Sequence, residues 1–272
     1  MLKRLFFASA SIFLLTLLAS RPAFSGTLWL GNDGGGHVFH TDLAGHDLGG
    51  VPNTPVSGVA FDGSSLYFSD MGGNITRRSA DGRTVLASFA VPPVGTPTED
   101  LAWDPVRQRL WRIEHDPATL RRIHPTTGAV EATYSIPALD PDPDLTPRGG
   151  VGIAYDCHHD LLYVSFFQAN NLSNKGLVLV MDPNTGTITG ELFRAQGPTG
   201  GLGYDGESGT LWVGSAVGSV ETVRNMSLSG AVLNSFDRPQ PGGFVDGLEF
   251  IGGCDPTPVR TPRWGQLKVL YR

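Results

Sequence analysis

The chain has 272 residues, 36 of them Gly and 20 Pro, with 40% hydrophobic residues and a formal net charge of −6. That Gly and Pro content, without long amphipathic stretches, excludes a helical protein and predicts many short strands joined by tight turns. The acidic balance argues against gripping a phosphate backbone, so no nucleic-acid partner is expected.

Residues 1–25 have the three parts of a secretory signal peptide. Lys3 and Arg4 come first, then the apolar run Leu5 to Ala19, then small residues at Ala23-Phe24-Ser25 before Gly26. The apolar run is about 15 residues, short of the roughly 20 that span a bilayer, so cleavage after Ser25 is predicted rather than a retained anchor. No later segment is apolar enough to span, and the mature chain is expected to be secreted, periplasmic or held at the cell surface. Removal of Lys3, Arg4 and Arg21 leaves 17 basic against 26 acidic residues.

From Gly26 onward the chain repeats itself. One segment type reads small-apolar-small-aromatic: Gly58-Val59-Ala60-Phe61, Asp100-Leu101-Ala102-Trp103, Gly152-Ile153-Ala154-Tyr155, Gly201-Leu202-Gly203-Tyr204 and Gly247-Leu248-Glu249-Phe250. Its aromatic recurs after 42, 52, 49 and 46 residues, and an Asp follows it in the first four copies. A second type follows each of those four copies after a polar turn: Leu66-Tyr67-Phe68, Leu110-Trp111-Arg112, Leu162-Tyr163-Val164 and Leu211-Trp212-Val213. A fifth copy, Leu28-Trp29-Leu30, stands alone near the N-terminus. Third and fourth strands complete each unit, joined by a turn that closes on Gly, as in Ala80-Asp81-Gly82 and Pro183-Asn184-Thr185-Gly186.

Four-stranded units at a spacing near 45 residues are the sequence mark of propeller blades. The fold class is therefore all-β, a five-bladed β-propeller over residues 26–254 whose N- and C-terminal strands share one blade. Val245 to Ile251 is expected to pair with Thr27 to Asn32, closing the ring and removing its open edges. The repeated aromatics are read as packing between blades. Cys157 and Cys254 are the only cysteines. In an oxidising compartment they predict one disulfide, fastening the closing strand, with two buried thiols as the alternative.

The phrases "GIAYDCHHDLLYVS", "GLGYDGESGTLWVGS" and "VMDPNTGTITGEL" resemble the NHL, YVTN and gluconolactonase-like (regucalcin-like) propellers, here as an exported bacterial member. The resemblance implies that loops entering the innermost strands and loops leaving the second strands emerge together on one face, the upper face. Candidate ligand-binding residues there are Asp33, Asp70, Glu99, Asp100, Glu114, His115, Asn170 and Asp246. Converging carboxylates suit Ca²⁺ or another divalent cation. Gluconolactonase-like enzymes hold such a metal with Glu, Asn and Asp; the resemblance implies Glu99, Asn170 or Asn171, and Asp246 as imitators of that set, with Glu99 and Asp246 as the metal ligands. Those enzymes, however, have six blades, and their ligand-bearing motifs are absent from this chain.

Residues 255–272 form a Pro-rich spacer followed by WGQLKVLYR, in which Trp264, Leu267, Leu270 and Tyr271 fall at helical spacing with Lys268 and Arg272 opposite. This basic tail is read as a sorting or surface-attachment signal, with docking on the propeller or a frayed end as alternatives. The sequence as a whole predicts a monomeric, secreted, non-catalytic module that binds a small polar ligand or protein partner. The alternative is a metal-dependent hydrolase of lactonase type using the same acidic mouth.

Overall fold

The computed structural model describes residues 26–252 and 254, apart from positions 33, 35, 96, 137–147, 169–174, 218–219 and 239–244. The signal segment and the tail beyond Cys254 lie outside the described residues. Twenty described strands form five antiparallel four-stranded sheets, each a blade. The closing blade joins β1 (Thr27–Gly31), β2 (His37–Thr41) and β3 (Val51–Pro52) to the last strand, β20 (Gly247–Ile251). Blade I holds β4 (Gly58–Phe61), β5 (Ser65–Ser69), β6 (Asn74–Ser79) and β7 (Val85–Ala90), and blade II holds β8 (Thr98–Asp104), β9 (Arg109–Glu114), β10 (Thr119–Ile123) and β11 (Val130–Ser135). Blade III holds β12 (Arg148–Asp156), β13 (Leu161–Gln168), β14 (Lys175–Met181) and β15 (Ile188–Gln196). Blade IV holds β16 (Thr199–Asp205), β17 (Thr210–Val217), β18 (Val220–Ser227) and β19 (Val232–Asp237).

The sealing pair runs Leu28 opposite Phe250 and Leu30 opposite Leu248, as the two orphaned segments of the repeat predict. Around the axis, β20, β4, β8, β12 and β16 each touch the next and the last touches the first, so the ring is closed. The core is divided into five apolar clusters, one between each pair of neighbouring blades. The second-strand aromatic fills each interface: Tyr67, Trp111, Tyr163, Trp212 and Trp29 are all 2% exposed or less. Truncating one of these side chains to Ala is worth about 3–5 kcal/mol. The fourth strands, by contrast, are outermost, and β7 and β19 are exposed along most of their length.

Four of the five inner strands lead into an Asp, and the structure gives the reason. Asp62, Asp104, Asp156 and Asp205 accept the two backbone N–H groups that open the turn into the second strand, as with Ser64 and Ser65 at 2.8 and 2.7 Å from Asp62. In three blades the other oxygen takes the polar tip of the second-strand aromatic: Tyr67 at 3.1 Å, Trp111 at 3.2 Å and Tyr163 at 2.7 Å. The pattern aromatic-Asp, turn, Leu-aromatic thus encodes a hydrogen-bonded corner as well as apolar packing.

On the lower side a guanidinium straps blades II and III together. Arg107 donates to Asp104 at 2.8 Å, to both oxygens of Asp160 at 2.7 and 2.8 Å, and to Asn184 at 2.7 Å. The Arg107 hydrogen bonds hold the Asp160 carboxyl down from 3.8 to about 2. A depressed carboxyl stabilises the fold above its unfolded pKa, and that contribution is lost as pH falls through the folded one. Arg107→Met should therefore lower the urea midpoint at neutral pH, and the gap to wild type should close between about pH 4 and pH 2. An unchanged gap across that window would argue against the strap.

Candidate functional site at the channel

The inner strands approach the axis closely. A Cβ on Gly58 would meet the Glu99 carbonyl at 2.5 Å, one on Gly152 the Gly200 carbonyl at 2.3 Å, one on Gly201 the Leu248 nitrogen at 2.6 Å, and one on Gly247 the Ser57 carbonyl at 2.6 Å. Four of the five ring positions are Gly for this reason, and the fifth is Asp100. A bulge between Thr98 and Leu101 re-aims its side chain. Asp100 Oδ1 accepts the N–H groups of Val59 and Leu101 at 3.3 and 2.8 Å, and Oδ2 those of Ile153 and Leu202 at 3.3 and 3.1 Å. One fully buried carboxylate thereby joins the inner strands of four blades. Burial pushes its carboxyl well above the usual range, while the four N–H donors pull the other way.

Glu114 is equally buried and equally committed to the scaffold. It accepts Arg112 Nη2 at 2.5 Å and Arg121 Nη1 at 3.3 Å on one oxygen, and the N–H groups of Val94 and Gly95 at 2.9 and 2.7 Å on the other. Arg112 is itself 0% exposed and donates to the Val91 carbonyl at 2.8 Å, while Arg121 donates to the Pro92 carbonyl. The network fastens the connection from β7 to β8 against β9 and β10. Asp70 is turned into its own turn, accepting the N–H and the side-chain amide of Asn74 at 2.8 and 2.7 Å.

Glu99, His115 and Asp246 stay at the upper end of the channel. Glu99 is 5% exposed, and its Oε1 lies 3.4 Å from His115 Nδ1. Asp246, 8% exposed, precedes β20 and interacts electrostatically with Arg238, which pairs with Glu221 at 3.1 Å. Asp33 and Asn170 lie outside the described residues. Glu99 and Asp246 alone fall short of the six to eight oxygens that Ca²⁺ takes. Among the described residues no group of three or more His, Cys, Asp or Glu is arranged to hold a metal ion.

The two cysteines are joined, with Cα atoms 5.7 Å apart. Cys157 follows β12 and Cys254 follows β20, so the bridge passes beneath blade IV, whose Tyr204 and Leu211 share a cluster with it. It lies at the lower mouth, where a cavity of ≈ 30 Å³ opens among the aromatics that end the inner strands. The repeat made these rings visible in the sequence, but only as packing; their convergence on one mouth follows from ring closure. The buried arginines were visible in a different way. Arg112 stands where the other repeats have Phe68, Val164 or Val213, and a cation in that apolar register already required a buried anion nearby.

No family model matches the chain, and no curated protein matches it. Solved structures that resemble it include a chain of a nidogen/laminin complex, at 14% identity and a TM-score of 0.52, covering 84% of this chain and 99% of that one. A protein of unknown function from Bacteroides caccae gives 15% identity and a TM-score of 0.49 over 78% of this chain and 73% of that one. The Dos1 propeller gives 14% and 0.45 over 80% and 62%. At such identities the likeness concerns the propeller fold alone.

Proposed function

We propose that the chain is an exported, non-catalytic binding module whose acidic upper mouth receives a cation, a small polar ligand or a loop of a protein partner. The observation that carries this reading is the Asp100 anchor. Its carboxylate is spent on four backbone N–H groups of the inner strands, a structural role at the axis rather than a catalytic one. With the fully buried carboxylates Asp100 and Glu114 holding the scaffold, binding by the residues around them is favoured over chemistry at the axis. Export is supported by the signal-like leader and by the disulfide, which persists in an oxidising compartment. Among the described residues no helix is long and apolar enough to cross a membrane.

A metal-dependent hydrolase of lactonase type is the second reading, favoured by the Glu99–His115 contact on the same rim. Kinship finer than the propeller superfamily, to NHL or gluconolactonase-like proteins, belongs to this second reading. Elemental analysis of the purified protein and a thermal-shift screen of divalent metals and sugars separate the two. The binding module is expected to show a concentration-dependent rise in melting temperature that Asp246→Ala abolishes, without lactone or ester hydrolysis. Stoichiometric metal together with hydrolysis lost on Glu99→Ala would replace it with the enzyme.

A further inference from the structure

We infer that the upper rim between blades I and II is a docking surface for a protein partner that presents an apolar or aromatic side chain flanked by Lys or Arg. The connection from β7 to β8 lies there between two turns. On one side is the turn after β5: the Val91 N–H donates to the Gly73 carbonyl at 2.9 Å, and a Cβ on Gly73 would lie 3.3 Å from Pro93. On the other side is the turn after β9, where a Cβ on Gly95 would lie 2.8 Å from the Pro117 carbonyl. The side chains turned outward along this strip are apolar. Met71 is 44% exposed and Val94 59%, and Pro92 and Pro117 are exposed beside them.

The strip rests on buried charge. Arg112 and Arg121 donate to the carbonyls of Val91 and Pro92, and Glu114 accepts the N–H groups of Val94 and Gly95. Burying these ionised side chains to fix one surface loop costs stability that an apolar cluster in the same place would not. The result is rigidity, so the loop has little conformational freedom left to lose when a partner covers it. Exposed apolar side chains on a pre-formed support suit a small docking site. Charge then selects the occupant. Arg112 and Arg121 are turned inward onto Glu114, whereas the charged groups beside the strip at the surface are the carboxylates of Asp70 and Asp116. A second copy of the chain would bring carboxylates against carboxylates, and an anionic lipid surface would be repelled in the same way. Lys or Arg around an apolar centre complements both parts of the strip. The inference goes beyond the reading of the channel mouth and does not require that Glu99 or Asp246 bind anything.

A display library of random peptides, selected on the wild-type protein, supplies the probe, and the best binder is then titrated by calorimetry. The selected peptide is expected to carry a large apolar or aromatic residue with Lys or Arg on both sides. Val94→Asp should weaken it about ten-fold or more, and Val94→Ser, which adds no charge, in the same direction, with the melting temperature unchanged in both. Asp116→Asn should weaken it several-fold at low salt and by less at about 0.5 M NaCl. Selected peptides that are acidic or lack an apolar residue, equal affinity for wild type and both Val94 variants, or no saturable binder would each overturn the inference. Self-association of the wild type that Val94→Asp abolishes would also overturn it, by assigning the strip to a second copy. A peptide lost on Asp246→Ala but kept on Val94→Asp would place the partner in the mouth, so that reading would stand while this one fell. A peptide lost on Val94→Asp but kept on Asp246→Ala supports the strip alone.

Discussion

Asp100→Ala is expected to lose about 3–5 kcal/mol of stability, and Asp100→Asn about 2–4 kcal/mol, both read from urea midpoints with the unfolding slope unchanged. Alanine removes the acceptor for four backbone N–H groups at once, those of Val59, Leu101, Ile153 and Leu202. Each buried donor left unpaired costs about 1–3 kcal/mol, and a water drawn into the vacated space recovers part of that. Asparagine keeps the shape but presents an amide N–H₂ to two of the donors, so half of the anchor becomes donor against donor. The two variants together separate charge from volume. If Asp100→Asn matched wild type within about 0.5 kcal/mol, the carboxylate would be a space-filler, and the anchoring role would have to be abandoned.

The blades were legible because their chemistry is periodic. The aromatics Phe61, Trp103, Tyr155, Tyr204 and Phe250, the Leu-aromatic pairs, and the lone copies at both ends were enough to count five and to pair Leu28 with the strand of Leu248. The site was less legible, for a physical reason. Reading along the chain places Asp100 and Glu114 on loops facing one mouth, and a carboxylate there looks like a ligand. Its true partners are backbone amides from blades 41, 53 and 102 residues away in sequence, which only ring closure brings to the axis. The departure itself was on display: Asp100 is the lone carboxylate in a ring position otherwise filled by Gly58, Gly152, Gly201 and Gly247. Glu114 follows the same logic. Arg112 and Glu114 alternate on the face that carries Leu110, and Arg121 lies opposite Arg112 in the ladder, so the charged face is paired internally and not offered to solvent.

Opening the Cys157–Cys254 bridge should produce the other large effect. The bond closes a loop of 97 residues that contains blade IV and reaches the sealing strand, and the chain-entropy model gives about 4–5 kcal/mol for a loop of that size. Reduction, or Cys157→Ala with Cys254→Ala, is therefore expected to lower the melting temperature by about 10 °C for a domain of this length. The loss is greater than for an equal constraint elsewhere in the ring because β20 is the strand that holds the N-terminal strands in place. Without the bridge, the five-residue ladder from Thr27 opposite Ile251 to Gly31 opposite Gly247 carries closure alone. Fraying of β20 would expose Leu28, Leu30 and Leu248, all fully buried in the closed ring. Hydrogen exchange resolves this: the amides of β1 and β20 should lose protection on reduction before those of β8 and β9, which Asp100 and Glu114 still hold. Uniform loss of protection across all five blades would mean that the bridge acts only by constraining the unfolded chain, and that closure does not depend on it.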